Sequence, residues 1–184
     1  MFKKIIIIFF IGILNINNSA FSDDKILKSL KEGKKLVFIR HAIAPGNGDP
    51  NTFDINDCST QRNLNENGIE ESKKIGLFFK NNKIKIDKVL SSQWCRCKDT
   101  AKYAFKNFKT FDALNSFYDE KFAANEAKQI KDLKNYIKRW NSDKNLVLIT
   151  HFVVISSILN TGASSGEIII ADKNFNIVGS IDMM

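Results

Sequence analysis

Two apolar runs in this chain each stop on a histidine: Leu36-Val37-Phe38-Ile39-Arg40-His41 and Leu146-Val147-Leu148-Ile149-Thr150-His151. Runs this short and this continuously apolar fit β-strands buried on both faces, because a half-exposed strand alternates polar with apolar residues. Burial on both faces needs helices above and below the sheet, so these two segments commit the chain to a layered α/β architecture. They also hold the only two histidines in the sequence. Each stands at the carboxyl end of its strand, where open α/β sheets bind their ligands.

The remaining pattern agrees. A strand is expected at Lys35–Ile39, then a loop from Ala42 to about Asn65 rich in Gly and Pro. Helical periodicity follows over Glu66–Lys80, then a strand at Ile86–Leu90 that closes on Ser91-Ser92. A helix is expected from Trp94 to about Asn107, with a less regular stretch over Thr110–Phe122. An amphipathic helix then runs over Ala123–Trp140, the strand Leu146–Ile149 follows, and a helix spans Val153–Leu159. Two last strands, Glu167–Ala171 and Phe175–Gly179, flank a turn at Asp172-Lys173-Asn174. Strands alternating with helices give a three-layer α/β/α sandwich with a largely parallel central sheet. The loop over residues 42–65 is too long for a plain connection and is expected to be functional.

The start of the chain stands apart from this domain. Met1-Phe2-Lys3-Lys4 is basic, Ile5–Leu14 is almost unbroken apolar sequence, and Ala20-Phe21-Ser22 supplies small residues two apart. This is the order of a secretory signal, with cleavage after Ala20 or Ser22. The apolar run is shorter than the roughly 18–20 residues that span a bilayer. Residues 1–22 are therefore read as a signal peptide and 23–184 as one domain, periplasmic or secreted, with no stable membrane span after cleavage.

The 184 residues carry a formal charge of +8. Most of that charge is lysine on expected helix faces, as in Glu70-Glu71-Ser72-Lys73-Lys74, and reads as solvated surface rather than a nucleic-acid footprint. An exported chain can keep disulfides. Cys95 and Cys97 are too close for an unstrained bond with each other, so Cys58 is expected to pair with Cys95 or Cys97, leaving one thiol over. Oligomeric state has no readable signal.

The topology brings chemistry to one edge. His41, His151, Ser91-Ser92 and Arg96, at the start of the following helix, should converge with Arg40 at the carboxyl ends of three strands. Imidazoles, guanidinium forks and a helix N-terminus together make an anion site, and phosphate uses such forks best. Neighbouring guanidiniums would repel a divalent cation, so no metal and no cofactor is expected.

These residues resemble the histidine phosphatase superfamily, the phosphoglycerate mutase-like fold. The likeness rests on Arg40-His41-Ala42, on Leu64-Asn65-Glu66-Asn67-Gly68-Ile69, on Val89-Leu90-Ser91-Ser92 followed by Arg96 and Thr100-Ala101, and on Leu148-Ile149-Thr150-His151. It covers essentially the whole of residues 23–184. The resemblance implies that His41 accepts the phosphoryl group while Arg40, Arg96 and His151 hold its oxygens. Arg62, on the long loop, is a further candidate for phosphate binding. The general acid expected from the resemblance is Glu120, with Asp119 next, and the third alternative is that no dedicated acid is used. Ala42 stands where the family usually has glycine. The expected substrate is a small phosphorylated molecule, with envelope sugar phosphates suited to the exported address. The competing reading is a non-hydrolytic anion-binding or regulatory module of the same fold.

Overall fold

The structure is a computed structural model that describes residues 18–183, with side chains from residue 24 onward. The apolar run of the expected signal lies outside the described residues. The small residues Ala20 and Ser22 fall in the first turns of helix α1 (Asn18–Glu32). The sequence pattern predicts no element over residues 23–34, and α1 occupies 23–32 of that stretch.

The chain continues through β1 (Leu36–Arg40), α2 (Glu66–Asn81), β2 (Ile86–Ser91), α3 (Cys95–Phe105) and β3 (Lys109–Thr110). It then forms α4 (Glu120–Ala123), α5 (Glu126–Arg139), β4 (Asn145–Thr150), α6 (Phe152–Leu159), β5 (Ile168–Ala171) and β6 (Ile177–Ile181). Among the described residues the six strands make one sheet in the order β3-β2-β4-β1-β5-β6. The pairs β1 with β4, β2 with β4 and β2 with β3 are parallel, whereas β5 and β6 run antiparallel. The sheet is thus mixed, with its parallel part at the end that carries the histidines. The expected amphipathic helix begins three residues late, at Glu126, because Glu120–Ala123 forms a separate short turn of helix.

Alternation along β1 and β4 builds the core. Leu36, Phe38, Leu146 and Leu148 face one layer with Leu133 and Ile137 of α5 and Val154 and Ile155 of α6. Val37, Ile39, Val147 and Ile149 face the other with Leu30 of α1, Ile75 of α2 and Ala101 of α3. All eight strand side chains have 0% exposure. At roughly 2 kcal/mol per fully buried aliphatic side chain, these two strands are the most firmly held part of the fold. Side chains on their ends inherit that rigidity. Helices α2 and α3 cross closely enough that a Cβ on Gly76 would lie 2.3 Å from the Ala104 carbonyl oxygen, so only glycine fits there.

Candidate active site

Strand register explains why distant residues meet. Arg40 pairs with Thr150 across β1 and β4, and Ser91 pairs with Ile149 across β2 and β4. One residue further on, His41, His151 and Ser92 leave three neighbouring strands side by side. The His41 amide donates to the Thr150 carbonyl at 2.9 Å and the Ser92 amide to the Ile149 carbonyl at 2.9 Å. The two imidazoles lie edge to face with centroids 5.4 Å apart.

His41 Nδ1 lies 2.9 Å from the carbonyl oxygen of Ala42. A carbonyl only accepts, so the neutral ring carries its proton on Nδ1 and leaves the Nε2 lone pair free. That is the form able to attack phosphorus. Burial, then Arg96, Arg40 and Arg62, hold the His41 pKa well below the ordinary imidazole value, against an opposing pull from the Ala42 carbonyl. Ala42 itself is fully buried, does not adopt positive φ, and donates its amide to Thr100 Oγ1 at 3.0 Å. An alanine is therefore accommodated in the turn without strain.

His151 is oriented by Ser92, whose Oγ lies 2.9 Å from Nε2 and also reaches Asn115 Oδ1 at 3.1 Å. Its other ring nitrogen lies 3.5 Å from Arg96 Nη2. Burial first, then Arg96 and His41, depress its pKa well below the usual value.

Arg40, His41, Arg62, Arg96 and His151 line one small cavity of about 50 Å³, together with Asp49, Ser116, Tyr118, Asp119 and Phe152. Arg40 Nη1 is fixed by the Ala163 carbonyl at 2.8 Å. Arg62 donates Nε to the Gly48 carbonyl at 2.9 Å and Nη1 to the Ala44 carbonyl, so it both braces the long loop and faces the cavity. Arg40 Nε and Arg96 Nε are buried N–H groups without an acceptor among the described residues. Buried donors are rarely left in that state, and an anion is what would satisfy them.

Asp49 is the residue that sequence reasoning missed. Its carboxylate accepts from Arg96 Nη1 at 2.8 and 3.1 Å, from Trp94 Nε1 at 3.0 Å and from the Arg62 amide at 3.0 Å. Burial is the largest single influence and pushes its pKa up, but these donors and the Arg96 charge together outweigh it and hold the carboxyl below its usual value. Nothing in Gly46-Asn47-Gly48-Asp49-Pro50 marks that aspartate beyond an excess of nearby guanidinium charge needing a partner.

The two candidate general acids are placed differently. Glu120 is exposed at the start of α4 and does not line the cavity, whereas its neighbour Asp119 does. Gly48 shapes this wall: its φ is +63°, and a Cβ there would come 3.3 Å from Asp119 Oδ1. The disulfide joins Cys58 to Cys95. Cys97 stays free and buried, with its thiol pushed up to about 12 by desolvation. Among the described residues, no group of three or more His, Cys, Asp or Glu side chains is placed to hold a metal ion, and no helix is long and apolar enough to cross a membrane.

Several solved structures share this arrangement of strands and helices. The protein histidine phosphatase SixA, complexed with tungstate, is 16% identical over 81% of this chain and 97% of its own, with a TM-score of 0.57. The phosphoglycerate mutase of Thermus thermophilus is 12% identical over 80% of this chain and 98% of its own, with a TM-score of 0.58. The fold is that of the histidine phosphatases. A mutant phosphoserine phosphatase from Entamoeba histolytica, in complex with phosphoserine, has the same histidine phosphatase fold at 19% identity, covering 74% of this chain and 89% of its own (TM-score 0.54). No protein-family model and no curated protein sequence matches the chain. At these identities the histidine phosphatase likeness speaks for architecture, and the chemistry rests on the side chains just described.

Proposed function

We propose that this chain is a phosphatase that hydrolyses phosphate monoesters through a phosphohistidine on His41. The observation that carries the reading is a neutral, singly protonated imidazole whose Nε2 lone pair is free, set among three guanidiniums in a cavity the size of a phosphoryl group. In that arrangement Nε2 attacks phosphorus while Arg40, Arg62, Arg96 and His151 take the phosphoryl oxygens, and the leaving oxygen departs in line. Water then attacks the phosphohistidine, releasing inorganic phosphate and restoring the imidazole. Three guanidiniums outnumber the two carboxylates that share the cavity with them, Asp49 and Asp119, so the site is net positive around neutral histidines, which suits an anionic phosphate ester. Protonation of the leaving oxygen falls to Asp119, on the cavity wall.

The exported address is part of the same proposal. Its support is the signal-like start of the sequence and the Cys58–Cys95 bond, a kind that persists in oxidising compartments. Small phosphorylated molecules outside the cytoplasm, envelope sugar phosphates among them, are the substrate class that suits this address.

The test is a phosphatase panel on wild type and His41→Ala, with acid-labile, base-stable label from a radioactive phosphoryl donor trapped by rapid denaturation. Turnover and label are both expected to vanish in the variant. Turnover that survives His41→Ala would end the proposal.

A further inference from the structure

Five large apolar or aromatic side chains are exposed among the described residues, and two of them, Tyr118 and Phe152, stand together at the phosphate cavity. Tyr118 comes from the segment before α4, and Phe152 is the first residue of α6, directly after His151. Their rings meet edge to face with centroids 5.5 Å apart. Tyr118 is 44% exposed and Phe152 38% exposed. A single exposed aromatic needs no explanation, but a fixed pair on the rim of a polar cavity is a binding feature.

Both rings are held in place. Asn47 Nδ2 donates to the Tyr118 hydroxyl at 3.1 Å, which joins the long loop to the rim. The Arg40 guanidinium lies 5.5 Å from the Phe152 ring centre, a cation–π contact that fixes the ring beside the phosphate-binding groups. The exposed surface of the pair is therefore preorganised on the rim of the cavity that Arg40, His41, Arg62, Arg96 and His151 line.

Resting on the phosphatase reading above, we infer that Tyr118 and Phe152 form a subsite for a cyclic leaving group, one that presents a flat C–H or π face to the two rings. A pyranose and an aromatic ring share that chemistry, and an acyclic alcohol lacks it. Packing of such a face on an aromatic side chain changes affinity by about three- to tenfold.

The experiment compares kcat/KM for phenyl phosphate and a hexose 1-phosphate with that for glycerol 3-phosphate. The proteins are wild type, Phe152→Leu, Tyr118→Ala and Tyr118→Phe, with Tyr103→Ala as an exposed aromatic away from the cavity. Wild type is expected to prefer at least one ring substrate. That preference ratio should fall about fivefold in Phe152→Leu and Tyr118→Ala, mostly through KM, and survive in Tyr118→Phe and Tyr103→Ala. A response with phenyl phosphate alone identifies an aromatic occupant, and one with the hexose phosphate alone a sugar; either supports the subsite. Equal use of ring and acyclic substrates by wild type, or a ratio unmoved by both substitutions, overturns it. Failure to turn over any substrate, acetyl phosphate included, overturns the phosphatase reading and this inference with it.

Discussion

Asp49 engages Arg96 through both carboxylate oxygens, and the two side chains are 1% and 3% exposed. An ion pair this buried ties the long loop to the first turn of α3, and it occupies one edge of the group that would otherwise face phosphate alone. Asp49 is a positioning residue on this view: it fixes Arg96 and sets the charge of the cavity.

Replacing Asp49 with Asn should separate these two effects. An unpaired buried guanidinium costs roughly 3 kcal/mol, so Tm in phosphate-free buffer is expected to fall by about 9 °C. Inorganic phosphate should bind the variant more tightly than wild type, because one negative charge has left the site, and should restore much of the lost Tm. A variant with lowered Tm that phosphate stabilises no more than wild type would contradict the pairing of charge and site.

The histidine pKa shifts predict an unusual acid limb. Both imidazoles are held neutral by burial first and by Arg96 next. On the proposed mechanism His41 therefore stays competent as a nucleophile while pH falls through 6.5, and kcat/KM for a substrate without its own ionisation in that range should decline only at lower pH. In Arg96→Gln the limb should move up toward 6.5, since a positive neighbour is lost and Asp49 is left unpaired. Stability carries the matching sign. Below 6.5 the unfolded chain binds protons that the folded histidines refuse, so urea midpoints should fall from pH 6.5 downward and show no histidine contribution above it. A limb at 6.5 in wild type would show that the rings are not desolvated.

The parallel strands β1, β2 and β4, and the meeting of Arg40, His41, Arg96 and His151 around one cavity, could be read in advance because continuous apolar runs permit few alternatives and strand ends are fixed places. His41 and His151 meet because Arg40 and Thr150 pair, a register that equal apolar runs imply. Asp49 was not legible: its partner lies 47 residues away, and loop geometry decides the contact. The same holds for which of Asp119 and Glu120 reaches the cavity wall, which turns on where a four-residue helix begins. The antiparallel edge strands were placed within two residues, and the short turn at Asp172-Lys173-Asn174 makes β5 and β6 antiparallel to each other; that β5 also runs antiparallel to β1 was not legible, because it depends on the path of the chain between α6 and β5.

The Cys58–Cys95 bond closes a loop with a sequence separation of 37 that contains Arg62 and lies beside Asp49. By chain entropy such a crosslink contributes about 4 kcal/mol. Reduction, or paired Cys58→Ser and Cys95→Ser, should lower stability by about that amount and raise KM for phosphate esters, because the loop that carries Arg62 loses its anchor to α3. The denaturation midpoint and KM, each measured with and without reductant, give the check. Unchanged values on full reduction would show that Gln61, whose Oε1 accepts the Cys95 amide at 2.9 Å, holds the loop unaided.

Asp119 and Glu120 are adjacent, so paired substitutions can assign the acid cleanly. Asp119 lines the cavity, while Glu120 is exposed outside it. A proton donor matters most when the leaving oxygen is a poor leaving group and little when it departs readily as an anion. Asp119→Asn should therefore lower kcat/KM for an alkyl phosphate by about 100-fold, yet change acetyl phosphate hydrolysis by no more than about threefold. Glu120→Gln should leave both substrates near wild type. The discriminating quantity is the slope of log kcat against leaving-group pKa, which should steepen in Asp119→Asn alone. An equal loss on both substrates would make Asp119 a structural brace of the Gly48 wall, and a steeper slope in Glu120→Gln would return the role to Glu120.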